Sequence, residues 1–131
     1  MSARTEVVAR IKLDQPTWAV KGCPWVPKQV AKDKPAVAVW LADLEPGTAR
    51  GVELQHNVTV NLYLAKTADE AAEDEAEAAL DKLLTSLQRL GKVTWTKAER
   101  MVFDNVISGW QITCAAGSND IYRQAVLAER G

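Results

Sequence analysis

Histidine and cysteine, the residues on which most catalytic and metal sites depend, are nearly absent from this chain. His56 is the one histidine, and Cys23 and Cys114 lie far apart in unlike contexts. A histidine-based triad or a zinc site therefore lacks its parts. The sequence also lacks a CxxC pair, a glycine-rich phosphate loop and a His/Glu pair at helical spacing. We expect His56 to be an interior or edge histidine and both thiols to stay reduced.

Positive charge is not in excess either, since the chain has 16 lysines and arginines and 17 acidic residues. A protein that grips nucleic acid through its phosphates needs a basic face, so direct DNA binding is disfavoured. No segment has the ~20 apolar residues that cross a bilayer, and the first residues lack the apolar core of a signal peptide. We expect a single domain over residues 1–131, made and kept in a cytoplasm, with no membrane partner.

The strongest pattern that is present runs from Thr67 to Gly91. Thr67 and Glu70 fit a capping box at its start, Gly91 fits a stop, and acidic residues crowd its first half, as the helix dipole favours. These acids have an ordinary explanation as a solvated face. The pattern predicts a helix over about residues 68–90 whose buried stripe recurs at steps of three and four: Ala72, Ala76, Ala79, Leu80, Leu83, Leu87 and Leu90.

Alternation of apolar and polar residues predicts four strands around this helix. AVAVWLADL follows Pro35 and enters a turn at Glu45-Pro46-Gly47, and a long alternation from Val52 to Leu64 forms a hairpin with it. We expect a bend or bulge near residues 55–57 because that strand is long. A third strand begins at Val93 and ends near Val102. Gly109 opens a fourth, which places Cys114 on the core side.

Residues 3–13 are ambiguous, because their apolar residues fit a short helix and also alternate like a strand; we favour the helix. The resulting fold class is α+β. A mostly antiparallel sheet of about four strands is packed on one face by the long helix and by the short N-terminal helix. The final residues, about 118–131, have no clean period and are expected to form a short helix or an arm.

The segment from about residue 15 to residue 35 holds four of the five prolines and two tryptophans, and it predicts a long, stiffened loop. Long loops without periodicity are often functional, and aromatic residues concentrate binding energy at interfaces. We expect a docking loop at a subunit or tube interface. The alternative is that its tryptophans fold back as a lid on the core. The interface candidates are Trp18, Pro24, Trp25 and Pro27.

The second strand has a polar side that must meet water or a partner. Its residues are Glu53, Gln55, Asn57, Thr59 and Asn61. No apolar pocket surrounds any one carboxylate, as acid–base catalysis would require. We therefore expect no enzyme activity, no catalytic residues, no cofactor and no bound metal. A polar sheet face, a loop rich in proline and tryptophan, and chain ends without a clear secondary-structure pattern are together typical of a subunit of an assembly.

The order and spacing of segments over roughly residues 34–116 resemble the tail terminator proteins of long-tailed bacteriophages, especially those of actinobacterial hosts. The likeness lies in the KPAVAVWL strand, the strand and helix of LYLAKTADEAAEDEAEAALDKLL, and the final GWQITCAA strand. The segment from Trp18 to Pro35 is longer than the family pattern. The resemblance implies an α+β fold with helices on one side of the sheet, and a virion protein without catalytic residues.

It further implies a hexameric ring, assembled in the host cytoplasm, that caps the tail tube, stops its polymerisation and joins the tail to the head. The expected partners are other copies of the chain, the tail tube protein and a head-completion or connector protein. The polar side of the second strand then lines a lumen through which DNA passes. Alternatives are another neck, tail-completion or tube subunit, or a small dimeric α+β domain that binds a ligand or acts as an enzyme beside His56 and Tyr63.

Overall fold

The computed structural model describes residues 3–31, 34–46, 54–65, 70–91, 93–104 and 107–117. Glu53, Thr67 with its predicted capping box, and the predicted C-terminal arm at about 118–131 lie outside the described residues. The described residues form two helices and five strands. Their bounds are Ala3–Asp14 (α1), Ala19–Lys21 (β1), Ala36–Pro46 (β2), Leu54–Leu64 (β3), Glu70–Gln88 (α2), Val93–Phe103 (β4) and Ile107–Gly117 (β5).

The strands form one sheet in the order β1-β2-β3-β5-β4. All pairs are antiparallel except β1 with β2, which is parallel. The predicted α+β class, the mostly antiparallel sheet and the hairpin of β2 with β3 are confirmed. The sheet has one strand more than expected, because Ala19–Lys21 lies inside the predicted loop at about 15–35 and pairs with β2. Three residues are too few to show a periodic pattern in the sequence.

Both helices lie on the same face of the sheet, and their apolar stripes make the main core. Leu83 and Leu87 of α2 and Val7 and Ile11 of α1 are buried in one cluster with strand residues such as Val60. The predicted helical stripe is confirmed by the burial of Ala76, Ala79, Leu83 and Leu87, and the N-terminal helix is confirmed as Ala3–Asp14. Burial of a leucine such as Leu83 contributes about 1.5–3 kcal/mol to stability.

Two strands contain a bulge, and neither bulge is where the sequence predicts one. The register shifts between Leu41 and Asp43 of β2 and between Trp95 and Lys97 of β4. β3 pairs with β5 without a shift, so the irregularity expected near residues 55–57 lies in the partner strand instead. An extra residue in either strand bends a long hairpin and increases its local twist, and β2 supplies this residue next to residues 57–58 of β3.

The turn expected at Phe103-Asp104-Asn105 begins at Asp104, directly after β4, and Asn105 lies outside the described residues. Asp104 has a φ of 52°, the left-handed conformation that aspartate tolerates in turns. β5 begins at Ile107, two residues before Gly109. A Cβ added at Gly109 would lie 1.9 Å from the carbonyl oxygen of Leu62. Glycine therefore allows β5 to approach β3 closely, which explains its place inside a strand.

Candidate interaction surface

The face of the sheet opposite the helices, called the open face below, carries the polar half of the strand pattern. Paired residues in neighbouring strands share a face, so the pairing register places Thr59 beside Trp40 of β2 and Thr113 of β5. No described helix packs on this side. Its polar residues are Asp43 and Glu45 of β2, Gln55, Asn57 and Thr59 of β3, Gln111 and Thr113 of β5, and Thr94, Lys97 and Glu99 of β4.

Side-chain hydrogen bonds order one end of the open face. Gln55 donates its Nε2 to Asn57 Oδ1 at 2.9 Å, and Asn57 in turn donates its Nδ2 to Asp43 Oδ1. At the β4 bulge, Thr96 Oγ1 donates to the carbonyl oxygen of Thr113 at 3.2 Å. The central strands β3 and β5 contribute no charged side chain to this face. The result is a largely neutral polar surface with charged residues on its outer strands.

An aromatic cap covers the other end of the open face, and we define it as Trp25, Tyr63 and Phe103. The Tyr63 and Phe103 ring centroids are 4.7 Å apart, and those of Trp25 and Tyr63 are 6.2 Å apart, both edge to face. Tyr63 is fully buried and donates its hydroxyl to the carbonyl oxygen of Trp25 at 2.5 Å. Burial raises the pKa of Tyr63. Lys21 sits 4.3 Å above the Trp25 ring as a cation–π partner.

The cap corrects part of the docking-loop interpretation. Trp18 is 9% exposed and belongs to the main core, and Pro27 is also buried, so both side chains pack inside the subunit. Trp25 is half-buried against Tyr63 within the cap. Of the four candidates, Pro24 is the one that is exposed. The geometry is that of the lid alternative, because large aromatic side chains gain more from burial than from exposure to water.

The predicted lumen residues also differ in burial. Gln55, Asn57 and Thr59 are half-buried on the open face, and Glu53 lies outside the described residues. Asn61 is a correction, because it is 5% exposed and donates its Nδ2 to the Tyr63 hydroxyl at 3.1 Å. It belongs to the edge of the aromatic cap. Alternation in the sequence identifies its face correctly but cannot reveal that a distant segment covers it.

Of the residues considered for chemistry, His56 and Cys114 lie inside the protein and Cys23 is exposed. His56 is 3% exposed on the helix side, and desolvation lowers its pKa. Cys114 is fully buried on the predicted core side, and burial raises the pKa of its thiol to about 12, whereas Cys23 is exposed; both are free thiols. His56 and Tyr63 project from opposite faces of β3. The two residues therefore do not share the pocket that a ligand-binding or enzymatic domain was expected to have.

Asp14 joins the two helices on the covered side. Arg10 donates to it at 3.0 Å through Nε, Ser86 at 2.8 Å and Arg89 at 2.9 Å, and the Asp14 side chain is 8% exposed. Hydrogen bonds from Arg10 and Ser86, with the charges of Arg10 and Arg89, outweigh desolvation and hold the pKa of Asp14 well below its usual range. Every partner is a neighbouring helix residue, so this cluster is a structural tie.

An open groove of about 600 Å³ lies between α2 and the sheet. Trp18, Pro35 and Leu64 form one wall, and alanines of α2 such as Ala76 form the other.

Within the described ranges, no three histidine, cysteine or acidic side chains are grouped as a metal site. No helix of that part of the chain is long and apolar enough to cross a membrane. Comparison with protein-family models and with curated protein sequences found no match.

The sequence pattern did not predict which strands form the edges of the sheet. β4 is the last strand of the sheet, and β1 covers β2 only from Ala36 to Ala38. The pattern shows which residues form strands, but strand order depends on contacts between distant segments. The sequence did contain one indication that β4 is an edge strand. Charged residues in the middle of a strand, such as Lys97 and Glu99, are typical of edge strands.

Proposed function

We propose that this protein is a structural subunit of a bacteriophage tail, a tail terminator that forms a ring on the end of the tail tube. The observation that carries the proposal is the open face. Both helices pack on one side of a five-stranded sheet, and the central strands present neutral polar residues on the other. A ring that turns this face inward has a polar, non-basic bore through which DNA passes without being held by its phosphates.

The mechanism is geometric. A heterologous contact repeated around an axis closes into a ring, with a hexamer as the expected order. One side of the ring binds the last ring of tail tube protein, and the other side binds a head-completion or connector protein. Because that second side does not accept another tube subunit, polymerisation of the tube ends. No catalytic residue, cofactor or metal takes part, and the ring is assembled in the host cytoplasm before it becomes part of the virion.

The first test is assembly. Native mass spectrometry of the purified protein is expected to give a ring, and addition of the protein to growing tail tubes is expected to stop their elongation. A chain that stays monomeric at high concentration and fails to bind tube ends would contradict the proposal. Binding to tubes without arrest of elongation would favour a tube or other tail-completion subunit.

The second test places positive charge on the open face. Lysine at Gln55, Thr59 and Thr113 together would add three charges per subunit, and Asn61 is left unchanged because it is buried. Rings are expected to form, and particles are expected to eject DNA slowly, with the defect relieved as salt rises, since phosphate contacts weaken steeply with ionic strength. Normal ejection at low salt would place this face outside the bore.

A matched control adds the same charge to the helix side. Lysine at the exposed helix positions Ala71, Ala78 and Gln88 also adds three charges per subunit. Ejection from these particles is expected to match that of the unmodified protein. Equal slowing in both sets would show that total charge, and not the position of the open face, causes the effect.

A further inference from the structure

Two long stretches of backbone at opposite edges of the sheet have no strand beside them within the described residues. One is the outer side of β4, 11 residues long. The other is β2 beyond Ala38, where its pairing with β1 ends, from residue 39 to residue 46. Backbone N–H and C=O groups on an open edge readily pair with another chain, so a protein must either protect such an edge or use it.

The exposed charges on the two edges differ. β2 ends with Asp43 and Glu45 on the open face, both exposed. β4 carries both signs, with Lys97, 68% exposed, at its bulge and Glu99, 53% exposed, 3.9 Å from it. Like charges across strands are unfavourable and opposite charges are favourable, so pairing of two β2 edges would bring acids together, whereas Lys97 of β4 offers them an opposite charge. Pairing of two β4 edges would leave both acidic β2 edges without a partner strand.

The strand directions fit such a contact. Each step from β2 to β3, β5 and β4 is antiparallel, so β4 runs opposite to β2. Rotation of a second copy about an axis along the strands therefore sets its β2 antiparallel to the first copy's β4. The same rotation keeps the open faces of both copies on one side. No strand has to reverse, and the contact is heterologous, which is the kind that closes into a ring.

Apolar side chains on the helix side of both edges are also exposed to water, and a neighbouring strand would bury part of them. Leu41 and Leu44 of β2 are 40% and 44% exposed, and Val102 of β4 is 57% exposed. All three lie on the covered side of the sheet by register, at its margins. A strand added at each edge would remove part of this apolar surface from water.

We infer that β4 of one copy pairs antiparallel with residues 39–46 of β2 in the next copy, so that the sheet continues from subunit to subunit. The partner is a second copy of this chain. The inference rests on the proposed function only in taking the assembly to be a ring. The contact adds backbone hydrogen bonds between strands, with Lys97 beside the acidic end of the neighbouring β2.

Charge reversal tests this contact. The acid-reversed variant combines Asp43→Lys with Glu45→Lys, and the base-reversed variant is Lys97→Glu. Each alone puts like charges across the contact, and we expect the concentration needed for assembly to rise about tenfold in native mass spectrometry or sedimentation. An equimolar mixture restores opposite charges at both contacts of every subunit, and is expected to give rings in which the variants alternate. A chain that carries all three substitutions is also expected to assemble.

Controls separate folding from assembly. Lys12→Glu makes the same charge change at an exposed position of α1 and is expected to assemble normally. The Tm of each variant as a monomer reports folding. Hydrogen exchange gives a second measurement that needs no variant: on assembly, amides in residues 93–103 and 39–46 are expected to gain protection together.

The outcomes distinguish this inference from the proposed function. Rings that form equally well with every variant, or without new amide protection at both edges, would overturn the edge contact while leaving a ring-forming protein. Single variants that fail and are not restored by mixing would also overturn it. A protein that forms no ring under any condition would overturn both.

Discussion

The same strands form both faces of the sheet, but the two faces differ in their packing. On the helix side, apolar residues such as Val60 and Leu83 are completely buried, and Asp14 ties the helices together. On the open face, β3 and β5 carry amides and hydroxyls, and apolar packing is confined to the cluster around the aromatic cap, which includes Ala36, Ala38 and Ile107. The comparison teaches that one face supplies most of the stability, which leaves the other free to meet water or a partner. Substitutions should therefore have unequal effects on the two faces.

The largest expected effect is a charge in the helix-side core. Leu83→Asp would bury an unpaired carboxylate, and we expect it to lower the free energy of unfolding by more than ~4 kcal/mol, enough to unfold most of the protein. Thr113→Asp on the exposed part of the open face is the matched substitution and is expected to cost less than ~1 kcal/mol. Urea denaturation measures both. Similar losses would mean that the two faces are not divided as described.

A smaller loss is expected from the aromatic cap. Trp25→Ala removes a half-buried ring from Tyr63, and we expect a cost of about 2 kcal/mol, below the range for a fully buried tryptophan. Val26→Ala, at its exposed neighbour, is the control. Thermal melts of the monomer measure the loss. An unchanged melt together with weaker assembly would support the docking-loop interpretation of Trp25 instead of the lid.

The tie at Asp14 predicts a pH dependence on the helix side. Because the folded protein holds the pKa of Asp14 below its unfolded value, the carboxylate stabilises the fold above about pH 4. That stabilisation is lost as the pH falls from about 4 through the folded pKa. We expect Asp14→Asn to lower the Tm at pH 7, and the difference from the unmodified protein to shrink on acidification.

Asp74→Asn, at an exposed position of α2, is the control for this experiment. It changes the same functional group without removing the bonds from Arg10, Ser86 and Arg89. We expect a small Tm difference at pH 7. If the Asp14→Asn difference stays constant down to pH 2, the bonds around Asp14 do not stabilise its charged form.

The smallest expected effects lie on the solvated side of α2. Glu73 accepts two hydrogen bonds from Arg100, at 2.9 and 3.2 Å, but it is exposed. We expect Glu73→Lys to cost at most ~1 kcal/mol and Glu77→Lys to cost less, since exposed ion pairs contribute little. The difference between the two should decrease in high salt. A loss comparable with that of Leu83→Asp would show that these acids are structural.

Much of the covered side could be predicted because its signals are local. The helical spacing from Ala76 to Leu87 and the alternation from Val58 to Leu64 each arise within one element, and each assigns buried faces correctly. Cys114 and His56 followed from the same alternation. The interior of the candidate site was predicted less well: Asn61 is on the expected face and still buried, because Trp25 and Tyr63, 38 residues apart, close over that end.

By itself, the sequence determined the long helix, the four longer strands, the two faces of the sheet and the scarcity of histidine and cysteine. Periodicity and composition carry that information because backbone geometry repeats every two residues in a strand and every 3.6 in a helix. Only the tertiary structure decided the strand order, the parallel β1, the aromatic cap and the tie at Asp14. Each of these depends on which distant segments meet, and that choice is made by packing of the whole chain.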